Sequence, residues 1–118
     1  MQYYGLTLCL KDDPETIEQY KEYHRHVWPE VTVRLGEVGI TQMKIFLLGT
    51  RLFMYMETTD EFDMRKDFPR LTDDPKAREW NALMERFQQR APEARPDEWW
   101  ALMEPVFELQ STVVLPAE

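Results

Sequence analysis

The chain has 118 residues, 14 Lys and Arg against 22 Asp and Glu, and a formal net charge of −8. That length supports one domain with a single core, and a content of 43% hydrophobic and 13% aromatic residues excludes an intrinsically disordered chain. A pI near 4.8 without a basic run argues against a nucleic-acid partner, an anionic membrane surface or an anionic substrate, leaving a neutral or cationic ligand or another protein.

Residues 2–10 alternate and are rich in Tyr, Leu and Thr, the pattern of a first strand. Cys9 lies within it as the single cysteine, so no intrachain disulfide or thiolate cluster can form, and its expected role is a small buried hydrophobe. The opening apolar run has no basic segment and stops at Lys11-Asp12-Asp13, which does not fit a signal peptide. No stretch approaches the ~18 apolar residues of a membrane span. A cytoplasmic domain is expected.

Asp13-Pro14-Glu15 supplies an N-cap, a first-position proline and an acid in the first turn. Ile17, Tyr20, His24, Val27, Trp28, Val31, Leu35 and Val38 then recur at steps of three and four. They predict an amphipathic helix of about 25 residues ending at Gly39, kinked or broken by Pro29 near Trp28. Residues 40–48 and 51–58 predict two strands joined by a tight hairpin at Gly49-Thr50. Met43, Ile45 and Leu47 alternate with Phe46 and Leu48, so both faces of the first of these strands need cover.

Residues 60–75 are turn-rich, with a short helical piece expected around Phe62 to Phe68. Pro75 opens a second clear helix carrying Trp80, Leu83, Met84 and Phe87. Residues 90–97 read as a loop, Val106 to Leu109 as a fourth strand, and 111–118 as a tail beyond one domain spanning 1–110. The order βαββαβ predicts an α+β, ferredoxin-like fold with helices on one face of a four-stranded antiparallel sheet. The other face, bearing large apolar side chains, would be too apolar for a monomer; two copies are expected to meet sheet to sheet as a dimeric α/β barrel.

Metal chemistry has little support. His24 and His26 lie two residues apart, about 200° around a helix, and cannot share an ion. Nucleophilic catalysis fares no better: Ser111 is the only serine and lies in the tail, and 4 glycines cannot build a phosphate loop. General acid–base chemistry is better supported, because Tyr20, His24 and Trp28 form one helical stripe of acid, imidazole and flat platform. Trp80 could close the other side, an arrangement that suits a sugar ring. Such a stripe is more often core than site. The face of Glu15, Glu18 and Glu22 reads as solvated surface and His26 as exposed, while Glu30 and Glu79 stand out only because they adjoin Pro29 and Trp80.

The run Tyr20-x-x-x-His24-x-x-x-Trp28-Pro29-Glu30, Gly39, the hairpin from Met43 to Met54, Trp80 to Met84 and Met103 to Leu109 resemble the L-rhamnose mutarotase family from about Tyr3 to Leu109. The Leu-Gly-Thr-Arg-Leu-Phe-Met hairpin and the Phe-Gln-Gln run are most similar to its L-fucose branch. The resemblance implies a homodimer of ferredoxin-like subunits that interconverts the anomers of a 6-deoxy-hexose without metal or cofactor. It places the catalytic histidine at His24 and substrate contacts at Tyr20 and Trp80. The acid–base chemistry of ring opening suggests His24 as the proton donor, with Tyr20 or a carboxylate as its counterpart. The family's Trp-Trp pair falls on Glu79-Trp80 and a substrate-side tyrosine on Met43, two departures that bear on which sugar is held. Trp28 is counted with the substrate contacts.

A small neutral sugar also fits the −8 charge. The alternative is a non-catalytic ligand-binding module or a cofactor-free oxygenase of the same architecture. A polar pocket rimmed by Tyr20, His24, Glu79 and Trp80 would favour the sugar; a closed apolar cavity with His24 buried and bonded to backbone would favour the alternative.

Overall fold

The computed structural model of the chain describes residues 1–109; the expected tail lies outside the described residues. The elements are β1 (Gln2–Leu10), α1 (Pro14–Arg25), α2 (Pro29–Glu37), β2 (Ile40–Leu48), β3 (Arg51–Thr58), α3 (Met64–Asp67), a 3-10 turn (Pro69–Asp73), α4 (Pro75–Glu85), β4 (Gln88–Gln89) and β5 (Ala101–Leu102). They form one antiparallel sheet in the order β2-β3-β1-β4, with β5 also on β1. This is the expected α+β, ferredoxin-like class.

Local chemistry sets the boundaries. Asp13 caps α1 by accepting from the Thr16 backbone N at 3.0 Å, and Asp74 caps α4 by accepting from Ala77 N at 2.9 Å. The expected defect at Pro29 is a complete break: α1 ends at Arg25, and Pro29 becomes the first residue of α2, where its missing N–H costs nothing. Gly39, at φ +108°, turns the chain into β2; a Cβ there would meet Phe62 and the Thr59 hydroxyl at 3.3 and 3.2 Å. Gly49, at φ +62°, makes the left-handed turn of the hairpin.

The even residues of β1, Leu6, Leu8 and Leu10, are buried under the helices together with Leu52, Met54 and Met56 of β3. The odd residues face away from the helices. On that face, which the helices do not cover, Phe46 and Phe53 stack at 6.1 Å, and Tyr3, Phe46 and Leu48 are exposed among the described residues, Leu48 to 85%. Cys9 falls on this side and is half-buried, not the buried core residue expected from the sequence.

The fourth strand differs from expectation. Gln88–Gln89 pairs with Cys9 and Leu10, and Ala101–Leu102 pairs with Thr7 and Leu6, so two short strands share the outer position. Val106, Phe107 and Leu109 form no strand and are exposed. Register explains this. Continuing from Leu6↔Leu102 would bring Val106 only as far as Gln2, the first residue of β1, after Pro105 has withheld a ladder donor.

Candidate active site

The break between α1 and α2 is what builds the site. The last two turns of α1 carry Tyr20 and His24, one turn apart, with ring centroids 4.3 Å from each other. Trp80 of α4 approaches the His24 ring edge-on at 5.6 Å. Behind these lies a cavity of about 1080 Å³, floored by Met43, Ile45 and Leu47 of β2 and by Leu52 and Met54 of β3. Its mouth is polar and carries the exposed Lys21, Arg65, Asn81, Arg95 and Asp97. An apolar interior with a few placed polar groups is the general form of a small-molecule site.

Burial and hydrogen bonding together set the protonation of both central groups. His24 Nδ1 lies 2.8 Å from the Tyr20 carbonyl oxygen. A carbonyl can only accept, so Nδ1 carries the proton and Nε2 holds a lone pair, with no protein partner among the described residues. Burial holds the His24 pKa below its ordinary 6.5, against the opposing pull of the Tyr20 carbonyl. Burial pushes Tyr20 the other way, up to about 12, although Gln88 donates to its oxygen at 3.2 Å and partly offsets the rise. Near neutral pH the site therefore presents an unprotonated imidazole nitrogen beside a protonated phenol.

Four of the six expected site residues, Tyr20, His24, Met43 and Trp80, line this cavity. Trp28 does not: it stands behind Trp80, edge-on at 5.1 Å, with Lys76 Nζ over its outer face at 5.8 Å. Glu79 does not either; it is exposed and paired with Lys76 at 3.4 Å. The reason is helical phase, since neighbouring residues point about 100° apart and Trp80 takes the inward position. Glu15, Glu18, Glu22, His26 and Glu30 are all exposed, as expected. Among the described residues no three His, Cys, Asp or Glu side chains converge to hold a metal ion.

Gln88, Trp99 and Trp100 also line the cavity; Gln88 enters the sequence reading only within the Phe-Gln-Gln run, and none of the three has a site role there. The sequence carries a signal for the tryptophans alone; the place of Gln88 follows from strand pairing. Gln88 pairs with Leu10, so it sits on the core face of the sheet, and two adjacent tryptophans in a proline-rich loop are unusual unless they have something to cover.

The two criteria set by the sequence are met unevenly. His24 is bonded to backbone, and Glu79 is absent from the rim. The cavity is nevertheless open, polar-mouthed, and faced by an imidazole with one nitrogen unsatisfied.

Comparison with known proteins resolves the kinship. A family model described as L-rhamnose mutarotase matches residues 3–109. An L-fucose mutarotase from Xanthomonas campestris is 38% identical over 96% of this chain and 92% of that one. Two proteins of solved structure share the fold. An L-rhamnose mutarotase from Formosa agariphila has a TM-score of 0.67 at 20% identity, over 93% of this chain and all of that one. The tetracenomycin F2 cyclase of Streptomyces glaucescens has a TM-score of 0.69 at 14% identity, over 94% and 99%. A mutarotase and a polyketide cyclase on one fold mean that architecture alone does not decide activity. Sequence does decide the kinship: this chain belongs to the L-rhamnose mutarotase family.

Proposed function

We propose that this protein is an aldose anomerase that interconverts the α and β forms of a 6-deoxy-hexose, L-fucose or L-rhamnose, by general acid–base ring opening and closure. The observation that carries the reading is the pair formed by a neutral His24 Nε2 and a protonated Tyr20 hydroxyl on one cavity wall.

In the opening half, Nε2 takes the proton of the anomeric hydroxyl as the C1–O5 bond breaks, and the Tyr20 hydroxyl protonates O5. The open aldehyde turns about C1–C2. O5 then attacks the other face of C1, returns its proton to Tyr20, and His24 reprotonates O1. His24 is thus acceptor first and donor second in this proposal, the reverse of the donor role expected from the sequence. Positioned acid–base groups of this kind contribute ~10²–10⁴-fold, and confinement of the open chain adds orientation. No metal or cofactor enters these steps. The apolar floor at Met43 and Ile45 suits a C6 methyl group, and Trp80 offers an aromatic wall.

The working form in this proposal is a homodimer in the cytoplasm. Support for the dimer comes from Tyr3, Phe46, Leu48 and Phe53, which would be covered if two sheets met. Proton exchange spectroscopy between the anomeric signals of L-fucose and L-rhamnose tests the function. Accelerated exchange by the parent and its loss in His24→Asn support it; an inactive parent, or a fully active His24→Asn, overturns it.

A further inference from the structure

Tyr20 does not stand alone in the cavity wall. Gln88 is 5% exposed, and its side-chain amide bridges Tyr20 Oη at 3.2 Å and Trp99 Nε1 at 2.7 Å. An indole N–H can only donate, so the group facing Trp99 must be the amide oxygen. The NH₂ group therefore faces Tyr20, and an NH₂ group can only donate. Tyr20 Oη is left as the acceptor, and its own proton must point away from Gln88. No protein acceptor for that proton is found among the described residues, and the open side is the cavity.

The chain of donors thus runs one way, from Trp99 through Gln88 to Tyr20 and into the site. Its starting point is held firmly for a residue in a loop. Arg90 donates to the Glu98 carbonyl at 3.1 Å and to the Arg95 carbonyl. The Glu98 carboxylate accepts from the backbone N–H groups of Arg95 at 3.0 Å and Leu102 at 3.1 Å. These bonds close residues 90–102 into a bracket that presents the Trp99 indole.

We infer that Gln88 and Trp99 are positioning residues of the anomerase: Trp99 fixes the Gln88 amide, and Gln88 turns the Tyr20 proton toward the ring oxygen of the sugar. The inference rests on the function proposed above. The physical case is that a buried amide free to flip would also present its oxygen to Tyr20, draw the phenolic proton toward itself, and remove the acid from the reaction. The Gln88 bond to Tyr20 oxygen also stabilises the developing phenolate, which makes the phenol a better acid.

The test uses the full chain and three variants, Gln88→Met, Gln88→Glu and Trp99→Phe, measured by anomer exchange with L-fucose and L-rhamnose and by the indole ¹H–¹⁵N resonances. The expected result is a kcat lower by about 100-fold in Gln88→Met and about 10-fold in Trp99→Phe, with KM within threefold, as fits removal of part of a general-acid contribution. In Gln88→Met the Trp99 indole proton should move upfield. Gln88→Glu carries the decisive signature. As a carboxylate it accepts from both neighbours and captures the Tyr20 proton; as a neutral acid it can donate to Tyr20 again. Its kcat relative to the parent at the same pH should therefore rise at least fivefold from pH 9 to pH 6, a change that a purely structural role would not produce. Because Trp99→Phe leaves Gln88 in place and keeps an aromatic ring while removing the indole donor, it keeps the inference testable if Gln88→Met fails to fold. An inactive parent overturns the function and the inference together. An active parent whose folded variants keep kcat within twofold, or a pH-independent Gln88→Glu ratio, overturns the inference alone.

Discussion

The protonation states of His24 and Tyr20 make the pH–rate profile the sharpest test of the mechanism. His24 Nδ1–H is committed to the Tyr20 carbonyl at 2.8 Å, so proton uptake can occur only at Nε2, and burial holds that uptake below pH 6.5. The enzyme-catalysed rate should be flat around pH 7 to 9. It should then fall as pH drops through the lowered His24 pKa, by about tenfold per pH unit once well below it, because one proton removes the base. On the alkaline side Tyr20, pushed up to about 12, stays protonated. At pH 10, two units lower, only about 1% of it is ionised, so no alkaline decline is expected there. Exchange spectroscopy on the anomeric protons gives the rate, after subtraction of the uncatalysed mutarotation at each pH. His24→Asn should be lower by ~10²–10⁴-fold and lose the acid limb. A parent rate that rises as pH falls through 6.5 would refute the reasoning, since it would require the imidazolium as the first donor.

Stability should follow the same histidine. Its folded pKa is depressed below the unfolded value, so the unfolded chain binds more protons between the two. Parent stability should then be full above pH 6.5 and decline as pH falls toward the folded pKa, and His24→Asn should show a weaker decline in urea midpoint between pH 7 and 5. Trp80, 8% exposed and packed on His24 and Trp28, should cost about 3–5 kcal/mol of unfolding free energy as Trp80→Ala, read from chemical denaturation. Glu79→Ala, by contrast, removes an exposed partner of Lys76 and should leave kcat and KM within twofold and the melting temperature unchanged. Phe46→Asp with Leu48→Glu should turn a dimer into a folded monomer in light scattering coupled to gel filtration; a dimer that persists would remove the uncovered sheet face as its interface.

Local signals made most of the fold legible. Asp13-Pro14 and Asp74-Pro75 mark helix starts by chemistry that needs no tertiary contact, and Gly49 marks the hairpin by its left-handed backbone. Pro29 was readable as a defect, but whether it kinks or separates the helix depends on how α2 packs on α4 and β2, which no local pattern encodes. The fourth strand was misplaced for the same reason. Val106-Phe107-Glu108-Leu109 has the composition of a strand, yet register against β1 and the missing donor of Pro105 leave it nothing to pair with. Gln88-Gln89 and Ala101-Leu102 are too short to show a period and become strands only because β1 offers them an edge. In the site, helical spacing was enough to unite Tyr20 and His24. The same spacing sets Glu79 about 100° away from Trp80 and so off the inward face. It could not find Gln88, because a polar residue at the edge of a strand acquires meaning only from the two partners it meets in space.

The alternation of the sheet assigns different work to neighbouring residues. Met43, Ile45 and Leu47 floor the cavity, while Phe46 and Leu48, between and beside them, look the other way. Because the side-chain period of a strand is two, a slip of one residue in β2 against β3 would put Phe46 and Leu48 under the helices and the floor on the open face. Ordinarily the polar face of a strand opposes such a slip, and this strand lacks a fully polar face. The hairpin supplies the constraint instead: Gly49 fixes the turn at one end, and the irregularity between Ile40 and Gln42 fixes the other, where Gly39 turns the chain by a backbone that other residues rarely adopt. An apolar outer face can therefore be used for association without loosening the register that shapes the cavity, and the two ends of one hairpin hold both surfaces in place.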